Sequence, residues 1–187
     1  INNRGIVDYS YPNESITGAD ISSQTHVAEI LQTHEKVISD VFTAIQGYRS
    51  VAFHVPLFSG GQYEGSLGIL IPFDTLARKS LERVSVMDTG YAYAVSSGGT
   101  ILYSPHPNQT GRSVQEIFAG YPSVLSFISE AQKHEEGRGM YCYSPPDNTG
   151  SPVPYHAVYK RIDIGDQTWH IIIATPEAEI FRPLQTF

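Results

Sequence analysis

The residues able to do chemistry in this chain are seven histidines, one cysteine and twelve tyrosines, and their spacing decides which chemistry is open to them. His26 and His34 lie too far apart to share one helix turn, and no paired-histidine zinc motif occurs, so no metal site is expected. His134, followed by Glu135 and Glu136, reads as a solvated helix end. Cys142 falls inside a β-prone run with no base beside it, and there is no Gly-x-Ser-x-Gly elbow, so no nucleophile is armed for covalent catalysis. Gly137-Arg-Gly-Met lacks the third glycine of a dinucleotide loop and leads into a strand, not a helix. What remains is binding, with no cofactor and no catalytic residue expected. A hydrolase would need a nucleophile and a base in contact, and Ser104 and His106 are the residues whose substitution should then abolish turnover.

A binding pocket needs an apolar wall and a few convergent polar groups. Two sets of residues meet that description. Tyr9, Asp40, Phe42 and His54 form the first, and Tyr93, Tyr103, His106 and Tyr155 the second. Each has a plain structural alternative: Asp40 can end a strand, His54 can be a core histidine, and a tyrosine ring removes roughly 150–250 Å² from water by packing alone. Packing is the expected role of Tyr91, Tyr141 and Trp169.

The elements that must position these residues are organised around Gly90 to Gly111. Tyr91, Tyr93 and Val95 alternate with Ala92 and Ala94, the period of a strand. Ser96 to Gly99 supplies a turn, Thr100 to Tyr103 a second strand, and Pro105 and Pro107 end it. The start of the chain repeats this pattern: Gly5, Tyr9, Ser10, Pro12, Asn13, Thr17 and Gly18 fall in the order of Gly99, Tyr103, Ser104, Pro107, Asn108, Thr110 and Gly111. Such self-similarity implies a duplicated supersecondary unit. The first copy predicts a strand over Ile6 to Tyr11, a loop to Asp20, and a helix capped by Ser22 or Ser23 with Val27, Ile30 and Leu31 buried and His26 and Glu29 off the stripe. Strands then follow over Val37 to Ile45, Ser50 to Phe58 and Gly65 to Phe73, and Asp74 caps a connecting helix. In the second copy Pro122 opens a helix with Val124, Leu125, Ile128 and Ala131 inward and Gly137 as its C-terminal cap. Met140 to Ser144, Tyr155 to Ile162 and Thr168 to Thr175 read as strands, and Pro176 to Leu184 as a final helix.

Composition sets the outer limits. With 187 residues, 41% hydrophobic and 17% charged, the chain can fill two cores without disulfides. A net charge of −7 argues against nucleic acid and anionic membrane as partners. No apolar run approaches the roughly 20 residues that span a bilayer, so this stretch is not expected to insert in a membrane. The single cysteine excludes an internal disulfide and leaves the compartment open.

Strand, strand, helical crossover and three strands, twice over, is the order of a PAS-like module, and the chain resembles the double Cache sensor domains of membrane histidine kinases and chemoreceptors. The resemblance is carried by Gly90-Tyr-Ala-Tyr, the Gly99-Thr-Ile-Leu-Tyr-Ser-Pro-His-Pro run with Thr110-Gly111, Ile38-Ser-Asp-Val-Phe, Val55-Pro56 followed by Gly65-Ser-Leu-Gly, and Thr168-Trp-His-Ile-Ile-Ile-Ala-Thr-Pro. It implies an α+β fold of two tandem modules, each an antiparallel sheet with a helical crossover. Residues 1–82 would be the membrane-distal module, short of its first strand because the chain enters a turn at once, and residues 83–187 the proximal module with the start of an output helix. It further implies an extracytoplasmic location, a small-molecule ligand, a cytoplasmic output outside this sequence, and a homodimeric receptor whose isolated sensor fragment can be monomeric. The alternative is a structural or dimerising ectodomain whose cores are filled by their own side chains. Amino-acid-binding members carry an aspartate in the last strand of the distal module; here that place is Leu70, and the accompanying aromatic and arginine residues are not evident in Gln24 to Phe42.

Overall fold

The computed structural model describes residues 1–84, 86–146 and 150–182. The chain divides into two compact units, Ile1–Leu76 with Gly165–Gln167, and Ala77–Ile164 with Thr168–Phe187.

In unit 1 the helix α1 (Thr25–Thr33) precedes β1 (Val37–Ile38), β2 (Phe42–Thr43), β3 (Arg49–Ser59) and β4 (Gln62–Pro72). The backbone of the sheet is the β3–β4 hairpin, paired from Ser50↔Pro72 to Ser59↔Gln62. Gly60 and Gly61 close it with φ of +55° and +83°, the left-handed geometry that a two-residue hairpin turn requires. β1 and β2 pair antiparallel with successive stretches of β3, so the expected Val37 to Ile45 strand is broken in two. Asp40 sits at the break, where its Oδ1 accepts from Val41 N–H at 2.7 Å, a local bond that competes with the ladder. Val27 and Ile30 of α1 are fully buried, and Val7, Ile21 and Val27 make a small core. The helix is preceded by Gln24 with no side-chain cap, so neither Ser22 nor Ser23 caps it. His26, expected off the buried stripe, is only 5% exposed. Ile6 to Tyr11 forms no strand; it makes a single isolated bridge, Ile6↔Asp20, and backbone hydrogen bonds from Val7 to Ala19 and from Gly18 to Val7. The helix α2 (Phe73–Leu81) follows β4, with Asp74 in its first turn paired to Arg49.

Unit 2 holds a five-stranded antiparallel sheet in the order β6-β5-β9-β8-β7. Its strands are β5 (Tyr91–Ser96), β6 (Ile101–Tyr103), β7 (Glu136–Tyr143), β8 (Val153–Ile164) and β9 (Gln167–Pro176). Between β6 and β7 run α3 (Val114–Ile117), which the periodicity did not predict, and α4 (Pro122–Ala131). Val124, Phe127, Ile128 and Ala131 are the buried face of α4, with Leu125 at its margin. Gly137 does not cap that helix, which ends at Gln132; it lies in β7, where a Cβ would stand 2.4 Å from the Tyr159 hydroxyl. The terminal helix α5 (Glu177–Phe181) covers part of the expected Pro176 to Leu184 span, and residues 183–187 lie outside the described residues.

The repeat read in the sequence is present as backbone. Gly5 and Gly99 have φ of +83° and +79°, and Gly18 and Gly111 of +87° and +83°. Gly18 N–H donates to Val7 O and Gly111 N–H to Ile101 O, both at 2.7 Å; Ile21 N–H donates to Gly5 O as Val114 N–H does to Gly99 O. The turn side chain is matched too, since Asn2 Oδ1 accepts from Ile6 N–H and Ser96 Oγ from Thr100 N–H, each at 3.1 Å. A one-turn 3₁₀ segment sits inside each loop, at Glu14–Ile16 and at Pro107–Gln109.

Candidate functional site

The two units differ in what lies beside the sheet. In unit 1 a cavity of about 380 Å³ opens between β3, β4, α1 and the loop that follows Val7. That volume falls in the range of small-molecule sites. Antiparallel pairing puts Ala52 beside Leu70, His54 beside Gly68 and Pro56 beside Ser66 on one face of the hairpin. His54 and Ser66, each 2% exposed, and His26 form the deep end of the cavity, while Tyr9 and Tyr11, 69% and 82% exposed, stand at its mouth.

Gly68 explains the position of the His54 ring. A Cβ at residue 68 would lie 2.6 Å from His54 Cε1, so the imidazole can lie across the neighbouring strand only because that residue has no side chain. His54 Nδ1 is 3.4 Å from Ser66 Oγ, and Nε2 is buried with no hydrogen-bond partner. His26 stacks obliquely on it, ring centroids 5.1 Å apart, and is backed by Phe42 at 4.2 Å. Burial lowers the pKa of both imidazoles to about 4, with each ring's proximity to the other adding to the shift at His54. Both are therefore uncharged at neutral pH. Gln46, which also lines the cavity, carries a second buried polar atom without a partner, the acceptor Oε1. Orphaned buried polar atoms are rare in native proteins and call for an explanation, and a ligand that supplies the missing bonds is one.

In unit 2 the corresponding space is about 10 Å³, room for a single water, between Tyr91, Tyr93, Tyr141, Tyr143, Phe118 and neighbouring side chains. The tyrosines pack on one another: Tyr141 is stacked on Tyr155 at 5.7 Å, and Tyr121 meets Tyr143 edge-on at 4.9 Å. Gln109 donates to Tyr143 Oη at 2.9 Å and accepts from Ser104 Oγ at 2.7 Å. Desolvation raises the Tyr91, Tyr93 and Tyr141 hydroxyls well above the ordinary phenol range, so all three stay protonated donors. Ser104 is thus bonded to an amide, with no base holding it. Among the described residues no group of three or more His, Cys, Asp or Glu is placed to hold a metal ion.

Of the eight residues singled out in the sequence, Tyr9 and His54 line the unit 1 cavity. Phe42 supports it from behind His26, and Asp40 lies outside its lining. Tyr93 and His106 line the small space in unit 2, whereas Tyr103 and Tyr155 do not. Sequence reasoning missed His26 and Gln46. His26 precedes Ile30 by four residues and so shares its helix face, a signal that counting aliphatic residues alone passes over.

Residues 1–72 match the family described as HK/GC/Chemotaxis protein-like, sensor domain. No curated protein matches the chain in sequence. Among solved structures, an extracellular ligand binding receptor from Desulfohalobium retbaense is similar at TM-score 0.69 and 16% identity over 93% of this chain and 29% of that one. The extracellular domain of mmHK1S-Z3, assigned as a histidine kinase, is similar at TM-score 0.67 and 18% identity, over 92% of this chain and 61% of its own. The ligand-binding domain of the Pseudomonas fluorescens chemoreceptor CtaA, solved with L-serine, is similar at TM-score 0.61 and 18% identity, over 86% of this chain and 63% of its own. The chain therefore spans less than two thirds of each of these relatives. Residues 1–72 are similar in sequence to the HK/GC/chemotaxis-type sensor domain, and the chain as a whole has the α+β, Cache-like fold seen in these solved sensor-domain structures.

Proposed function

We propose that this chain is the ligand-sensing region of an extracytoplasmic receptor of the histidine-kinase or chemoreceptor type, and that unit 1, as the membrane-distal module, holds the ligand. The observation that carries this reading is the 380 Å³ cavity with a buried, unpartnered His54 Nε2 at its deep end. His54, Ser66 and Gln46 would hydrogen-bond the ligand, and Tyr9 would cover it. Unit 2, as the proximal module, transmits rather than binds. Its terminal helix α5 is tied into the unit by Glu179, which accepts from Asp88 and Thr89 N–H at 3.0 and 3.2 Å, and by Glu177, 2.9 Å from His156 Nε2. A ligand signals through such a helix only if it favours one arrangement, by a coupling of about 1–3 kcal/mol. The sensing region itself does no chemistry in this reading, and the receptor works as a homodimer.

The test is a thermal-shift screen of the chain against small carboxylates, amino acids, amines, amides and sugars. Ligand at a hundred times its dissociation constant stabilises the fold by about 2.7 kcal/mol. A hit lost in His54→Ala and kept in His106→Ala supports sensing in unit 1. A hit lost only in His106→Ala moves the site to unit 2.

A further inference from the structure

The lining of the unit 1 cavity also limits what can bind there, given that the cavity is the ligand site. None of its side chains is an Asp, Glu, Lys or Arg. Its polar groups are uncharged amides, hydroxyls and two imidazoles. Gln46 Oε1 is an unsatisfied acceptor and requires an N–H or O–H donor from a bound molecule, and His54 Nε2 is a second unsatisfied polar atom that donates or accepts according to its tautomer. Leu70, on the same strand face as Ser66 and Gly68, adds apolar surface to the wall. A ligand with a fixed charge would lose its hydration here and find no counter-charge among the side chains, a penalty that hydrogen bonds alone do not offset. The lining is instead rich in rings, Tyr9, Tyr11, Tyr48, His26 and His54 among them.

The geometry points to an uncharged, planar ligand that both donates and accepts hydrogen bonds, an aromatic amide or a neutral heterocycle, with zwitterionic amino acids and carboxylates disfavoured.

Benzamide, benzoate and benzamidine share one shape and differ in charge, and L-serine adds the zwitterion. Each is titrated at millimolar concentration into the full chain at pH 7, with binding read by ligand-observed NMR. Benzamide is expected to bind at least about tenfold more tightly than the other three, with binding lost in His54→Leu and weakened in Gln46→Leu, a substitution at a half-exposed site that spares the buried core. Tighter binding of benzoate, benzamidine or serine that is still lost in His54→Leu overturns the ligand class and leaves the cavity as the site. Benzamide binding that ignores both substitutions, or no binding by any of the four, overturns the cavity reading and the class with it.

Discussion

The two units share a backbone and differ in what fills it. Their loops close with matching hydrogen bonds and matching left-handed glycines, yet on the loop-covered face of the sheet one leaves about 380 Å³ and the other about 10 Å³; the larger space in unit 2, about 710 Å³, lies against the opposite face, lined by Met140, His156, Val158 and Ile173. The difference lies in the side chains that the strands present. In unit 2, β5 pairs with β9 and brings Tyr91 and Tyr93 over the sheet. In unit 1, the face of the β3–β4 hairpin beside the cavity carries His54, Ser66, Gly68 and Leu70 instead. The turns match because backbone geometry sets them, and the side chains differ because they are set by whatever must be packed or bound. A core closed by its own tyrosines has no room for a ligand, and a face built from histidine, serine and glycine has polar groups to offer one.

The largest effect is expected where the filled unit is emptied. Phe127→Ala removes a ring packed between Tyr141 and Tyr159 and should cost unit 2 about 3–5 kcal/mol in urea unfolding, leaving the His54 ring resonances where they are. Movement of those resonances would mean that the units are not independent in the way the comparison holds. Gly68→Ala acts on the open unit. It drives a methyl against His54 and should destabilise by about 1–3 kcal/mol, with most of the loss recovered when His54→Ala is added. Simple additivity of the two would show that the ring does not depend on Gly68.

Acid should also separate the units. His26 and His54 bind protons less readily folded than unfolded, so their contribution to stability is complete above pH 6.5 and is lost as pH falls towards about 4. Burial lowers His170 in unit 2 in the same direction, but it is a single ring. Unit 1 should therefore lose more stability between pH 7 and pH 5, and His26→Gln should flatten its profile; equal losses in both units would contradict this. The smallest effect is expected at the solvent-facing Lys160–Glu136 pair, where Glu136→Gln should leave the unfolding midpoint of unit 2 unmoved.

How far the sequence foretells this arrangement depends on the physics at each place. Two-residue alternation and glycine turns made β5 and the β3–β4 hairpin legible, because a strand's period and a turn's positive φ are written locally. The duplicated loop was legible for the same reason. Ile6 to Tyr11 looked like a strand by composition, but a strand exists only with a partner, and the pairing there makes one isolated bridge and no ladder. Gly137 looked like a helix cap, and was instead required by the Tyr159 hydroxyl across the sheet, a contact no local pattern encodes. His54 could be named as a candidate from its type and its place in a strand. That Tyr103 and Tyr155 would not line the small space in unit 2, while His26 would line the cavity of unit 1, depended on packing between elements distant in sequence.

The most direct test is to follow the imidazole resonances of all seven histidines by NMR while benzamide is added to the chain at pH 7. The account predicts that the His54 and His26 rings shift in a saturable manner and that His106 and His170 stay still. Shifts at His106 with His54 unmoved would place binding in the unit described here as filled, and would contradict the account.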